Sequence, residues 1–359
     1  MFNHRHYVPI LKGREGEYGA LQMMPAQMRD GVSPVIEIPP IPWDHAQHQP
    51  QKTIDQHLSK VTPKIERAWG SDRTLFVDLM WISGRERMST GAHPMTYIFD
   101  GARIKRLQLV PVTGLTRDDD YQSACRDASA RDKRGVCLRL QREDFEDGVD
   151  LAAQISGLQR SLLVPLAEMD LILDLRGIDA ADESPDESNA LSMIQRMPNL
   201  DSWRSFTLAA TSFPVNLMGL APSQTSAIRR REWRLWRNII AQLRTRLPAF
   251  SDYAISHPQP SEVDPRLMRA SASIRYTAQD TWLIFKAKNL RDYGYSQFHA
   301  VCRNVLRSNE YTGPDYSWGD RYIHECAQRR VTSGNLTTWR KVGTSHHLAL
   351  VATQIASLA

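Results

Sequence analysis

Asp170-Leu-Ile-Leu-Asp-Leu175 is a short apolar run with one acid set inside it, and seven similar runs lie along the chain. Such a run suits a strand buried on both faces. The others are Tyr7-Val-Pro-Ile-Leu-Lys12, Pro34-Val-Ile-Glu-Ile-Pro39, Thr74-Leu-Phe-Val-Asp-Leu79, Leu107-Gln-Leu-Val-Pro-Val-Thr113, Gly135-Val-Cys-Leu-Arg-Leu140, Ser205-Phe-Thr-Leu-Ala-Ala-Thr211 and, more weakly, Asp252-Tyr-Ala-Ile-Ser256. Their starts lie roughly 30 to 45 residues apart, the length of a strand, a loop, a helix and a loop. Segments between them carry helical spacing, as at 53–69 and 223–246. Eight such units predict an α/β fold, a (β/α)8 TIM-like barrel. A doubly wound open sheet is the runner-up. No glycine-rich turn follows the first run, so no nucleotide cofactor fingerprint supports that alternative.

After the eighth run the rhythm changes. Residues 270–277 and 281–286 read as a hairpin, and 296–306 and 346–358 as helices. The expected division is a barrel core over 1–260 and a C-terminal extension over 261–359 that completes or roofs it. The 359 residues include 42% hydrophobic and 24% charged, enough for a full core. The net charge of +5 permits an anionic partner without demanding one. Four cysteines without metal-site spacing, no leader-like N-terminus and no long apolar stretch give the expectation of a cytoplasmic protein with no membrane contact.

Several runs hold one charge in an aliphatic frame: Ile36-Glu37-Ile38, Val77-Asp78-Leu79, Leu138-Arg139-Leu140 and Leu173-Asp174-Leu175. Neighbours on a strand face opposite ways. If the aliphatics meet the helices, the charges point into the barrel, near its C-terminal end, where barrel active sites form. Lys12 closes the first run in the same way. Glu37, Asp78 and Asp174 are the candidate catalytic residues and the candidate ligands for Mg²⁺ or Mn²⁺. Lys12 and Arg139 are the candidate anion contacts. Thr113, Thr211 and Ser212 are expected to bring hydroxyls to the same mouth, and His257 a titrating ring. The competing reading pairs Lys12 with Glu37 and Arg139 with Asp174 as self-satisfied buried ions, and leaves Asp78 over.

Two further sites are expected. Ser223, Thr225 and Ser226 before Arg229-Arg230-Arg231 read first as an N-cap followed by a solvated basic face, and alternatively as a helix N-terminus able to take phosphate. Arg275, Tyr276 and Asp320 in the tail read as ligand contacts roofing the mouth. His346 and His347 are adjacent in sequence, which sets them poorly for one metal.

The chain also resembles a family. Tyr7-Val-Pro-Ile-Leu-Lys12 with Glu17-Tyr18, Pro34-Val-Ile-Glu-Ile-Pro-Pro40, Arg231-Glu-Trp with Trp236, and Asp252-Tyr253 with His257-Pro258 look like the phage "beta protein" family. So do Ile274-Arg-Tyr-Thr277 with Trp282, Gly319-Asp320 and His346-His347. The resemblance implies a component of a phage-related defence or competition module. It brings no agreed reaction with it. The leading expectation is a barrel protein that binds, and in a catalytic version hydrolyses, a phosphate-containing ligand. That ligand is a nucleotide or nucleic acid, and the catalytic version is a metal-dependent phosphodiesterase or nuclease-like hydrolase. The alternative is an antitoxin or adaptor for a protein encoded nearby, with the barrel charges structural.

Overall fold

Alternation along the apolar runs decides the architecture. In the computed structural model, which describes residues 2–148, 150–178, 184–259 and 269–358, Ile36, Val77, Leu138 and Leu173 lie in the layer beneath the helices. Val35, Phe76, Cys137 and Ile172, one residue away, fill the inside. The strands are β1 (Ile10–Leu11), β2 (Val35–Glu37), β3 (Trp43–Asp44), β4 (Gln49–Pro50), β5 (Thr74–Asp78), β6 (Gln108–Thr113), β7 (Val136–Gln141), β8 (Met169–Gly177), β9 (Ser205–Thr211), β10 (Gln224–Arg229), β11 (Ala249–Ser251), β12 (Ser271–Thr277) and β13 (Thr281–Asn289). Eight of them form one parallel sheet in the order β1-β2-β5-β6-β7-β8-β9-β11. Tyr7 closes the ring by bridging Val32 on one side and Phe250 on the other. Beside it the N–H of Val8 donates to Phe250 O at 2.9 Å, and that of Ile10 to Asp252 O at 2.8 Å. The fold is the expected (β/α)8 barrel, with a packed interior and no pore.

The helices are α1 (Glu15–Gln22), α2 (Ala26–Arg29), α3 (Ile54–Leu58), α4 (Val61–Trp69), α5 (Pro94–Ile104), α6 (Asp119–Asp132), α7 (Leu151–Leu162), α8 (Ser184–Arg196), α9 (Arg231–Gln242), α10 (Leu290–Tyr293), α11 (Phe298–Leu306), α12 (Trp318–Ala327) and α13 (Leu336–Ala356). Strands β10, β13 and β12 form a separate antiparallel sheet. With α11, α12 and the first turns of α13 it encloses a second apolar core around Tyr276, Phe298 and Trp339. The later turns of α13 bring Leu348, Val351 and Ile355 into the barrel's outer layer. The helix that leaves the extension therefore returns to cover the barrel. The expected boundary at 260/261 lies outside the described residues.

Four expectations need correction. The segment 53–69 is two helices, because Pro63 in a continuous helix would clash with the carbonyl four residues back. The eighth strand is β11, a few residues before the run at 252–256. The last helix starts at Leu336, not 346, because its first turns pack on the second core, a different surface from that met by the rest. The segment 223–246 is not one helix, since 224–229 is β10, paired with β13. Thr225 and Ser226 thus lie in a strand, and α9 takes its start from Ser212, whose Oγ accepts from the N–H of Arg231 at 2.9 Å. The proposed phosphate site at a helix N-terminus there is withdrawn.

Gly135 leads into β7 at φ 68°, and a Cβ there would stand 1.8 Å from Glu168 O. Gly135→Ala is expected to cost about 2 kcal/mol or more, from left-handed backbone strain plus the displaced carbonyl. Urea unfolding beside wild type checks it.

Candidate functional site

Register places two like charges side by side. Glu37 at the end of β2 is the neighbour of Asp78 at the end of β5. Both side chains point into the barrel and both are buried. Two adjacent carboxylates in a dry site repel each other unless a cation stands between them. Arg139 does so, reaching across from β7. Its Nη1 donates to Glu37 and to Asp78, at 2.8 Å each. Its Nε and Nη2 donate to Asp174 of β8 at 3.0 and 2.6 Å. The Tyr253 hydroxyl adds a donor to Asp174 at 2.6 Å. Burial alone would make the Arg139 guanidinium easier to deprotonate; Tyr253 and the three carboxylates outweigh it and hold the charge firmly.

Asp78 is therefore not left over. Besides Arg139 it accepts from Arg117 at 3.0 Å and from the N–H of Met80 at 2.9 Å. Lys12 faces Glu37 across 3.7 Å, too far for a hydrogen bond, and donates instead to Pro258 O. Burial pulls its ammonium pKa down, and Glu37 and Glu17 only partly restore it.

A ring of less buried groups sits above this knot. The Trp81 indole donates to Glu37 at 3.3 Å, and its face carries both Lys12 and Arg176, each 5.5 Å from the ring centre. His257 lies against Gly177, where a Cβ would come within 3.0 Å of its Nε2. Its Nδ1 accepts from the N–H of Gln259 at 3.2 Å, so Nε2 carries the hydrogen of the neutral ring. Burial first, then Lys12 and Arg176, push the His257 pKa down.

Thus Lys12, Glu37, Asp78, Arg139, Asp174 and His257 come together as the alternation suggested. The hydroxyls do not join them. Thr113 turns outward to Gln122 of α6 at 2.8 Å. Ser212 also turns outward, donating to Glu232 at 2.7 Å. Thr211 spends its oxygen on the N–H of Phe213. In the tail, Tyr276 donates to Asp320 at 2.7 Å, and His346 stacks on Tyr276 while its Nδ1 meets Asp320 at 2.9 Å. That is a separate buried cluster. His346 and His347 diverge, since His347 meets Asp252 at 2.9 Å and Thr277 at 2.9 Å. Trp81, Arg117, Arg176 and Tyr253 were missed as site residues. Trp81 and Arg117 lie in loops, where alternation gives no direction, and Arg176 lies at the irregular end of β8, with φ 57° where the pairing register shifts.

The donor set does not fit Mg²⁺ or Mn²⁺. The three carboxylates converge on a guanidinium, which fills the point where a cation would lie. Among the described residues no group of three or more His, Cys, Asp or Glu side chains is placed to hold a metal. Among the same residues no helix is long and apolar enough to cross a membrane.

Comparison with solved structures finds weak likeness. One match is 3-hexulose-6-phosphate synthase from Salmonella typhimurium, with 11% identity, 69% of this chain and 87% of that one covered, and a TM-score of 0.33. Another is the N-terminal domain of a proposed aldolase from Bacteroides vulgatus, with 7% identity, 98% and 97% covered, and a TM-score of 0.35. Neither bears on what this chain does. No curated protein matches it. The sequence profile of the Beta protein family, however, matches residues 7–353, nearly the full length. The chain belongs to the Beta protein family.

Proposed function

We propose that the barrel mouth binds a small phosphate-bearing ligand, a nucleotide or another phosphate ester. The supporting observation is the balance of charge. Four cations, Lys12, Arg117, Arg139 and Arg176, surround three carboxylates, Glu37, Asp78 and Asp174. Arg139 is shared by all three acids, so the outer cations keep charge to offer. Arg176 meets only Gln141 Oε1 at 3.3 Å and the face of Trp81 through its guanidinium among the described residues. Guanidinium and ammonium groups beside an aromatic face suit a phosphate carrying a ring. Neutral His257 adds one N–H donor. The Arg139 knot is the rigid floor of this site and takes no part in hydrolysis. In this reading the protein is a cytoplasmic ligand-binding component of a phage-related defence or competition module.

Calorimetric titration with inorganic phosphate, AMP, ATP and a cyclic dinucleotide tests it. Binding of at least one is expected, weakened tenfold or more by Lys12→Met and by Arg176→Ala. Folded wild type that binds none of them overturns the proposal. A second reading, an adaptor or antitoxin for a partner protein, draws on the way the buried charges satisfy one another. It predicts instead a stoichiometric protein complex that both mouth variants form normally.

A further inference from the structure

We propose that Lys12 is a nucleophile that condenses with the carbonyl of a phosphate-bearing aldehyde or ketone, forming a protonated imine in the barrel mouth. The proposal deepens the reading of the mouth given above and rests on it for the phosphate. Lys12 follows β1 and is almost closed to water. A buried ammonium needs an acceptor for each of its three hydrogens. Among the described residues Nζ makes one hydrogen bond, to Pro258 O. Glu37 Oε2, 3.7 Å away, is beyond bonding reach, and that carboxylate is already served by Arg139 and by the Trp81 indole. The knot therefore does not need Lys12, and too few partners hold Lys12 as an ion. Burial loosens its proton most; Glu37 and Glu17 resist, while Arg14 and Arg176 add to the loosening. Desolvated lysines are the amines that attack carbonyls.

The neighbours suit the rest of such a ligand. His257 precedes Pro258, whose carbonyl holds Nζ, and lies against Gly177, the residue after Arg176. The charges of Lys12 and Arg176 both bear on its ring. Lys12 and Arg176 each stand 5.5 Å from the centre of the Trp81 ring. A phosphate on Arg176 and the His257 N–H thus leaves the body of a short ligand beside Nζ and against the indole. The ammonium passes one proton to Glu37, and the freed lone pair attacks the carbonyl carbon. A C–N bond forms, the C–O bond of the carbinolamine breaks, and Glu37 returns its proton to the oxygen, which leaves as water. The lysine ammonium and the carbonyl compound together give the protonated imine and one water. Charge is conserved, and nothing is oxidised or reduced.

The test is labelling of the full chain by pyridoxal 5′-phosphate or by pyridoxal with cyanoborohydride, which fixes an imine as a stable amine, and location of the labelled lysines by peptide mass mapping. Lys12 is expected to be labelled at least about tenfold faster than the exposed Lys60 and Lys133, since each unit of lowered pKa raises the neutral amine about tenfold. That ratio is expected to be larger with the phosphate than with pyridoxal, and Arg176→Ala to remove the excess. Calorimetry with pyridoxine 5′-phosphate, which lacks the carbonyl, accompanies it. If that compound binds and Lys12 is labelled no faster than Lys60 and Lys133, the inference is overturned and the phosphate reading of the mouth stands. If Lys12 is labelled fast, with the same ratio for both aldehydes, and pyridoxine 5′-phosphate does not bind, the carbonyl chemistry stands and the phosphate reading falls. Neither fast labelling nor binding overturns both.

Discussion

Arg139→Met is expected to unfold the barrel, or to lower its unfolding free energy by about 3–5 kcal/mol, the cost of stripping a buried charge of its partner. Methionine replaces the stem as far as Nε and carries no charge, so the main loss is the guanidinium that reaches Glu37, Asp78 and Asp174. It leaves Glu37, Asp78 and Asp174 facing one another in a site almost closed to water. Lys12 and Arg117 remain, but each reaches only one of the three acids. A double-mutant cycle with Asp174→Asn separates the pair from the rest. Residues sharing one network couple strongly, so the double variant is expected to lose much less than the sum of the singles. Chemical denaturation of the four proteins gives the answer.

Asp252→Asn is the next largest expected effect, about 3 kcal/mol from disturbing a carboxylate that serves several buried donors. Asp252 follows β11 and accepts from the Tyr7 hydroxyl at 2.6 Å, from His347 of α13 at 2.9 Å and from the N–H of Ala254 at 3.0 Å. It thus joins the segment just before β1, the end of β11 and the last helix. Burial pushes its carboxyl up, but His347, Tyr7 and Arg230 more than offset this and hold it below the ordinary value. A carboxyl depressed in the folded state binds fewer protons there than in the unfolded chain. Its contribution is therefore full above the ordinary value near 3.9 and is lost as the pH falls through the folded one. The gap between wild type and Asp252→Asn should be constant from pH 6 to 8 and shrink below about pH 4. Unfolding curves across that range check the sign.

The barrel was legible because its strands are short, apolar and evenly spaced. One-residue alternation also told which side of each strand faces in, so Glu37, Asp78, Arg139 and Asp174 could be aimed before any contact was known. What alternation could not give was reach. Arg139 was paired with its neighbour Asp174, and its long fork in fact crosses the barrel to Glu37 and Asp78 as well. Ser212 and Thr113 failed for the opposite reason, since each stands one step out of phase and turns to a helix. The segment 224–229 misled because its partner β13 lies some fifty residues on, and local pattern carries no trace of a distant edge.

The most direct test of a structural floor beneath a ligand-binding rim is Asp78→Asn, measured for unfolding free energy and for phosphate-ester binding in one preparation. Asp78 touches both Arg139 and Arg117. The account predicts a loss of about 3 kcal/mol in stability, with binding kept or tightened, because a negative charge has left the mouth. Unchanged stability together with lost binding would contradict it and return Asp78 to the role of a ligand-contacting or catalytic acid.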